Sequence, residues 1–236
     1  MTSIGRDHAT KRRRLPEERP QQILDAAFEV FGDHGLAGAR LDDIAKCAGI
    51  GKGTIYLYFP NKEALFKEMI RQTVIAHLER SERDLDGDRT ATATAQLRDY
   101  MRELWTLTRS PAYQVVMRLV IAELHRFPEL VEFYLQEVVS RKQQLLDRLI
   151  RRGIAGGEFR SIDPRVAGRM MASMFAMHAL WASTGRCWPM LAAESDEELF
   201  EQLTDFFFHA VAPTGTSAAR SGVDPEPLVT AKRRRS

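Results

Sequence analysis

The 236-residue sequence predicts an all-α protein of about nine helices. Three observations carry that expectation. Apolar residues recur at i, i+3, i+4 and i+7 through most of the chain, no segment shows the period-two alternation of a strand, and glycines, prolines and capping residues fall where the helical stretches start and stop.

The elements follow in order. Residues 1 to 16 lack hydrophobic periodicity, carry the basic run Lys11, Arg12, Arg13 and Arg14, and read as a flexible arm. Ile23, Leu24, Ala27, Phe28 and Phe31 make the apolar face of a first helix that Gly35 ends. Leu41, Ile44 and Ala45 face inward on a short second helix stopping before Gly49, and Ile55 and Phe59 do so on a third that Pro60 terminates. Asn61 is placed to cap a fourth helix, bearing Leu65, Phe66, Met69 and Ile70 and running to about Arg83. Amphipathic segments then cover roughly 93–109, 112–125 and 128–153, the last with Pro128 in its first turn, before Gly156 and Gly157 break the chain. Asp163 and Pro164 form a cap and first helical position for a helix reaching about Thr184 and stopped by Gly185. Ser195 and Glu198 have capping-box spacing for a final helix that ends before Pro213. Residues 213–236, rich in proline and glycine and closing on Lys232, Arg233, Arg234 and Arg235, read as a disordered basic tail.

Composition narrows the function classes. Hydrophobic residues at 44% and charged residues at 28% are ordinary for a soluble globular protein, and no apolar run is long enough to span a bilayer, so no membrane partner is expected. The polar and basic start before Pro20 lacks a signal-peptide core, which makes the cytoplasm the expected compartment. Cys47 and Cys187 match no metal-ligand spacing and are expected to be small, reduced residues in or near the core. No metal set, cofactor motif, nucleophile elbow or phosphate-binding loop is present, so catalysis is not expected. The net charge of +2 says little about partners, because the basic residues are clustered rather than spread.

The clearest functional signal is three short helices with a tight turn at Cys47-Ala48-Gly49-Ile50 between the second and third, the layout of a helix-turn-helix. Gly49 suits the left-handed conformation such a turn needs. With Ile55 and Phe59 inward, Lys52, Gly53, Thr54, Tyr56 and Tyr58 fall nearer the other face, where lysine and tyrosine can donate to phosphate oxygens and glycines allow close approach.

Here the sequence resembles the tetracycline-repressor (TetR) family of transcriptional regulators. The resemblance rests on Ile23-Leu24-Asp25-Ala26-Ala27, Phe31-Gly32-Asp33-His34-Gly35, Asp43-Ile44-Ala45-Lys46, Ala48-Gly49-Ile50, Gly51-Lys52-Gly53-Thr54-Ile55-Tyr56 and Tyr58-Phe59-Pro60-Asn61-Lys62-Glu63, spaced in order across about residues 17–77. It implies a homodimer that places third helices in successive major grooves of an operator, binds an inducer in its C-terminal domain and dimerises through its last two helices. It also implies four parts: the arm 1–16, a DNA-binding domain 17–77 with its helix-turn-helix at about 40–59, an effector-binding and dimerisation domain 78–212, and the tail 213–236. Carried over by position, the DNA contacts fall on Arg40, Gly51, Lys52, Gly53, Thr54, Tyr56, Tyr58 and Lys62. Lys52, Tyr56, Tyr58 and Lys62 are expected to anchor phosphates, and Thr54 and Arg40 to touch bases. Two positions depart from the family: Arg40 stands where a hydroxyl residue commonly caps the second helix, and Gly51 where serine is common.

The C-terminal half carries an apolar and aromatic stripe at helical spacing. Some of it is expected to be core and some to line a cavity, for which Trp105, Met117, Met174, His178 and Trp181 are the candidates, with a small hydrophobic or aromatic molecule as ligand. Leu199, Phe200, Leu203, Phe206, Phe207 and Ala210, with residues 166–181, are expected to build a four-helix dimer interface. The predicted function is a sequence-specific regulator, a repressor released from a palindromic operator by that ligand. A carrier or enzyme of the same architecture, and a transcriptional activator, are the alternatives the residues leave open.

Overall fold

The computed structural model describes residues 18–87, 90–183 and 195–213, which form nine helices. Helix α1 spans Arg19–Gly38, α2 Leu41–Cys47 and α3 Lys52–Tyr58. Helix α4 starts as Lys62–Ile70, passes through a π turn at Arg71–Ile75 and continues as Ala76–Gly87. Helix α5 is Ala93–Thr108, and α6 is Pro111–Glu123 with a 3-10 turn at Leu124–Arg126 behind it. Helix α7 runs from Pro128–Tyr134 through a second π turn, Leu135–Ser140, into Arg141–Ala155. Helices α8 and α9 are Pro164–Ser183 and Asp196–Val211.

Local chemistry sets the ends. The Asn61 side chain accepts from Ala64 N–H at 2.7 Å, Thr92 and Ser110 cap α5 and α6 in the same way, and Ser195 and Glu198 close both bonds of a capping box. Gly35 takes φ 71° and breaks α1, but one more turn follows it, so the helix kinks at the glycine instead of stopping there. Arg40 stands at the N-cap of α2 without a side-chain capping bond, while Asp42 and Asp43 in the first turn complement the helix dipole. The two π turns were not apparent from periodicity. In each, a hydroxyl takes up a backbone carbonyl: Thr73 donates to Met69 O, and Ser140 donates to Leu135 O at 2.9 Å.

Two apolar clusters hold the fold. The first joins α1 to α3 and the first part of α4 to Tyr113, Val116 and Leu119 of α6 and to Leu130 and Val138 of α7, with Phe31 and Phe66 edge-to-face at 6.1 Å. The second packs α5, the latter part of α7, α8 and α9 around Trp105, Phe175 and Phe200. Truncating any of these fully buried phenylalanines to alanine would cost about 3–5 kcal/mol. Because α6 and α7 enter the first cluster, α1 and the first part of α4, which flank the helix-turn-helix, pack directly on the C-terminal helices.

Cys47 corrects one expectation. It is exposed, at the end of α2 away from the buried face of Leu41, Ile44 and Ala45, and its thiol donates to the Glu29 carboxylate at 3.5 Å. Partial burial and that carboxylate push its pKa up, which holds it as the thiol. Cys187, the two basic runs and the end of α8 at Gly185 lie outside the described residues.

Candidate DNA-binding face and effector cavity

The turn between α2 and α3 is closed by Ala48 N–H donating to Ile44 O at 2.8 Å and Ile50 N–H to Ala45 O at 3.0 Å, with Gly49 at φ 65°. Gln22 of α1 donates to Ala48 O, which ties the turn to the first helix. Helix α3 buries Ile55 and docks Phe59 behind it, leaving Gly51, Lys52, Gly53, Tyr56 and Tyr58 exposed along with Arg40 ahead of α2. Thr54 is half-buried. Leu57, which sequence reasoning missed, is 83% exposed on the same helix. The Lys52 ammonium lies 2.8 Å from Asp42 Oδ2, so the cation arrives at this face already paired across α2 and α3.

Lys62 is half-buried beside this face. Its ammonium donates to Ala37 O at 2.9 Å and Ala39 O at 3.3 Å, and lies 5.9 Å from the centre of the Phe127 ring. Two of its three donors thus satisfy carbonyls at the C-terminal end of α1, which makes it a staple between α1 and α4.

Behind the helix-turn-helix, α4 to α8 line a half-open cavity of about 270 Å³. Its apolar walls include Val74, Leu78, Leu104, Leu107, Val138 and Leu146. Both π turns contribute to it, Val74 from α4 and Val138 and Val139 from α7, in keeping with the tendency of such turns to occur at functional sites. Helix α8 presents only small or flexible groups to the space, among them Gly168, Ala172 and Ala176. Polar groups reach it from five helices: His77, Tyr100, Tyr113, Tyr134 and Lys142, with Gln143, Arg169 and Ser173. Burial, then Lys142 and Arg80, lowers the His77 pKa to about 4, and its buried Nε2 has no hydrogen-bond partner. Burial lowers the Lys142 pKa to about 8. Tyr134 Oη donates to Met117 Sδ at 3.6 Å.

Of the five residues expected to line a cavity, only Met117 does. Trp105 sits in the aromatic core 5.9 Å from both Phe175 and Phe200, with Arg109 stacked 4.1 Å from its ring. Met174 packs against that core, His178 Nδ1 is bonded to Met174 O at 2.8 Å, and the His178 ring meets Trp181 at 5.0 Å. The physical reason is the two-sidedness of α8: its bulky residues Met171 and Phe175 fill the core, and its small ones leave the space. A third side of α8 exposes Val166, Met170 and Met177, and α9 exposes Phe206.

The helix-turn-helix geometry and the cavity behind it agree with two family models: the tetR family of bacterial regulatory proteins matches residues 23–69, and the C-terminal domain of AefR-like transcriptional repressors matches residues 95–212. The chain belongs to the TetR family of transcriptional regulators. As such it is a ligand-responsive, DNA-binding regulator. The fatty acid metabolism regulator protein of Bacillus subtilis is 29% identical over 160 residues, covering 66% of this chain and 80% of the relative. The regulator RutR of Escherichia coli K12 is 28% identical over 180 residues, 74% of this chain and 76% of the relative. Among solved structures, FadR of B. subtilis in complex with stearoyl-CoA superposes with a TM-score of 0.60 at 26% identity, over 78% of this TetR-family chain and 97% of that one. No helix among the described residues is long and apolar enough to cross a membrane.

Proposed function

We propose that this TetR-family regulator is a cytoplasmic repressor that covers a near-palindromic operator as a homodimer and leaves it when a small apolar molecule enters the cavity. The observation that carries this reading is the exposed face of α3, Lys52, Gly53, Tyr56 and Tyr58, presented by a helix-turn-helix that leads into α4, which also walls the cavity. Residues 17–77 would read DNA, and residues 78–212 would hold the effector and the dimer contact. Lys52, Tyr56 and Tyr58 serve phosphates, Gly51 and Gly53 allow close approach, and Arg40 and Thr54 touch bases. Val166, Met170 and Met177 of α8 and Phe206 of α9 supply the apolar surface for a symmetric four-helix contact. Third helices about 34–36 Å apart would then meet successive major grooves. An effector acts by binding the DNA-free state more tightly than the DNA-bound one.

The test is selection and sequencing of bound fragments from random DNA, followed by a gel-shift panel. Paired half-sites one helical turn apart are the expected product. Lys52→Ala and Tyr58→Ala should weaken all sequences alike, and Thr54→Ala and Arg40→Ala should change the preferred bases. Recovery of no enriched motif would end the reading.

A further inference from the structure

We propose that the cavity selects an apolar ligand carrying one anionic group, a carboxylate, and that Lys142 is the residue that holds that group. The proposal rests on reading the cavity as the effector site and names the class of effector. Three features of the wall support it.

The first is charge. Among the described residues that line the cavity there are two cationic side chains, Lys142 and Arg169, and no aspartate or glutamate. Lys142 forms no ion pair or hydrogen bond with any described residue, whereas Arg141 beside it is engaged with Glu79, Glu82 and Glu137 on the other side of the helix. Carboxylates are abundant in the chain and are used nearby, so their exclusion from this wall leaves an ammonium facing apolar space with nothing to neutralise it. Such a group is costly to bury alone and is stabilised when an anion enters.

The second is register. On the last stretch of α7, Arg141–Ala155, the buried residues are Leu145, Leu146, Leu149, Ile150 and Gly153, and Lys142 stands three and four residues before the first two. It therefore occupies a core-facing position of the helix, not a solvated edge.

The third is the rest of the polar set. His77 offers an unpartnered, buried Nε2, and Tyr100, Tyr113 and Tyr134 bring hydroxyls from three further helices. All are neutral groups able to donate or accept, so they can complete the coordination of a carboxylate without adding charge. Arg169 is exposed at the rim and Lys142 is the more buried cation, so one ammonium inside the cavity matches a monoanion. At about 270 Å³ the space lies near the lower end of ligand pockets, ~300–1,000 Å³, which suits a single chain or ring rather than a bulky multi-ring compound.

Calorimetry with decanoate and with 1-decanol, which share chain length and differ in charge, tests the assignment on the full-length protein. Decanoate should bind at least about tenfold more tightly than decanol, the worth of one charge-assisted contact. Lys142→Met should reduce decanoate to the level of decanol while leaving decanol unchanged, and Lys142→Arg should keep the preference. Equal affinity of the two probes for the wild-type protein, or a preference that survives Lys142→Met, overturns the assignment and leaves the effector cavity standing. Failure of both probes to bind overturns the cavity reading together with it.

Discussion

Glu123 and Ala37 are joined across the two halves of the chain: the Glu123 carboxylate accepts from the Ala37 amide at 2.7 Å and from the Leu36 amide at 3.1 Å. The kink at Gly35 creates the need, since it starts a fresh helical turn whose first N–H groups have no partner within α1. A side chain at position 35 is disfavoured by its φ of 71°, and a Cβ there would press on the Glu123 carboxylate and disturb these bonds. Arg118 on the same helix donates to Gly32 O at 2.9 Å. Helix α6 therefore walls the cavity with Tyr113 and Met117 at one end and grips α1, four residues before α2, at the other.

Replacing Glu123 by alanine should destabilise the protein by about 1–3 kcal/mol, because buried amides lose a charged acceptor. Urea unfolding measures this. The same variant should bind effector normally yet show a smaller effector-induced drop in operator affinity, since one of the contacts through which α6 holds the helix-turn-helix is gone. An undiminished drop would assign the coupling to α4 alone.

Lys142 should make the ligand-free protein less stable than it could be. Its folded-state pKa of about 8 lies below the ordinary lysine value, so the unfolded chain binds more protons, and stability should rise as pH passes from 8 towards 10.5. Lys142→Met should raise the melting temperature at pH 7, by the equivalent of about 1–3 kcal/mol. Loss of stability in the variant would mean the ammonium has a partner that matters.

The same group sets a pH dependence. Decanoate affinity should fall between pH 7 and 9 as Lys142 loses its proton, and decanol affinity should not. The neutral groups facing the cavity do not change charge over that range: His77 is neutral above about 4, and burial holds Tyr134 up at about 12 and raises Tyr100 and Tyr113 further; Arg169 and Arg80 are the other cationic side chains close by. Glu103, near Tyr100, is bonded to Ser81. Titration calorimetry at three pH values reads the slope.

Asp42 restrains Lys52. Asp42→Asn should strengthen binding to all DNA sequences and steepen the dependence on salt by about one unit of slope, as one more cation becomes available to phosphate. Fluorescence anisotropy across a salt series would show it. A change confined to one operator would instead make Lys52 a base reader.

Phe206, 66% exposed on α9, should be buried in the dimer. Phe206→Asp should shift the sedimentation profile from dimer to monomer without loss of helix content. An unshifted profile would move the interface elsewhere.

Helix ends and the recognition segment were legible in the sequence because each depends on short-range chemistry: Asn61, Pro128, the Ser195 and Glu198 pair, and Gly49 all do locally what their types suggest. The cavity was not, because the same apolar stripe fits core and pocket, and only the packing of α8 shows that Trp105 and Met174 went to the core. Yet a signal was present. Lys142 and His77 are polar residues on the apolar faces of their helices, at positions where Leu146 and Val74 set the register, and that mismatch marks a site better than the hydrophobic residues around it. The contacts of Lys62 were not legible for the opposite reason, since a lysine suited to phosphate is equally suited to two carbonyls at a helix end.

The π turns give chain length a part in specificity. A π turn closes its hydrogen-bonded ring around one more residue than an α turn. Deleting Arg71, Gln72 or Thr73 would let the wall tighten to an α turn while the flanking stretches keep their orientation; deleting one residue within 62–70 would swing Leu78 by about 100°. Pocket capacity in this regulator can therefore change by the gain or loss of a single codon in a narrow window, with every lining side chain left as it is.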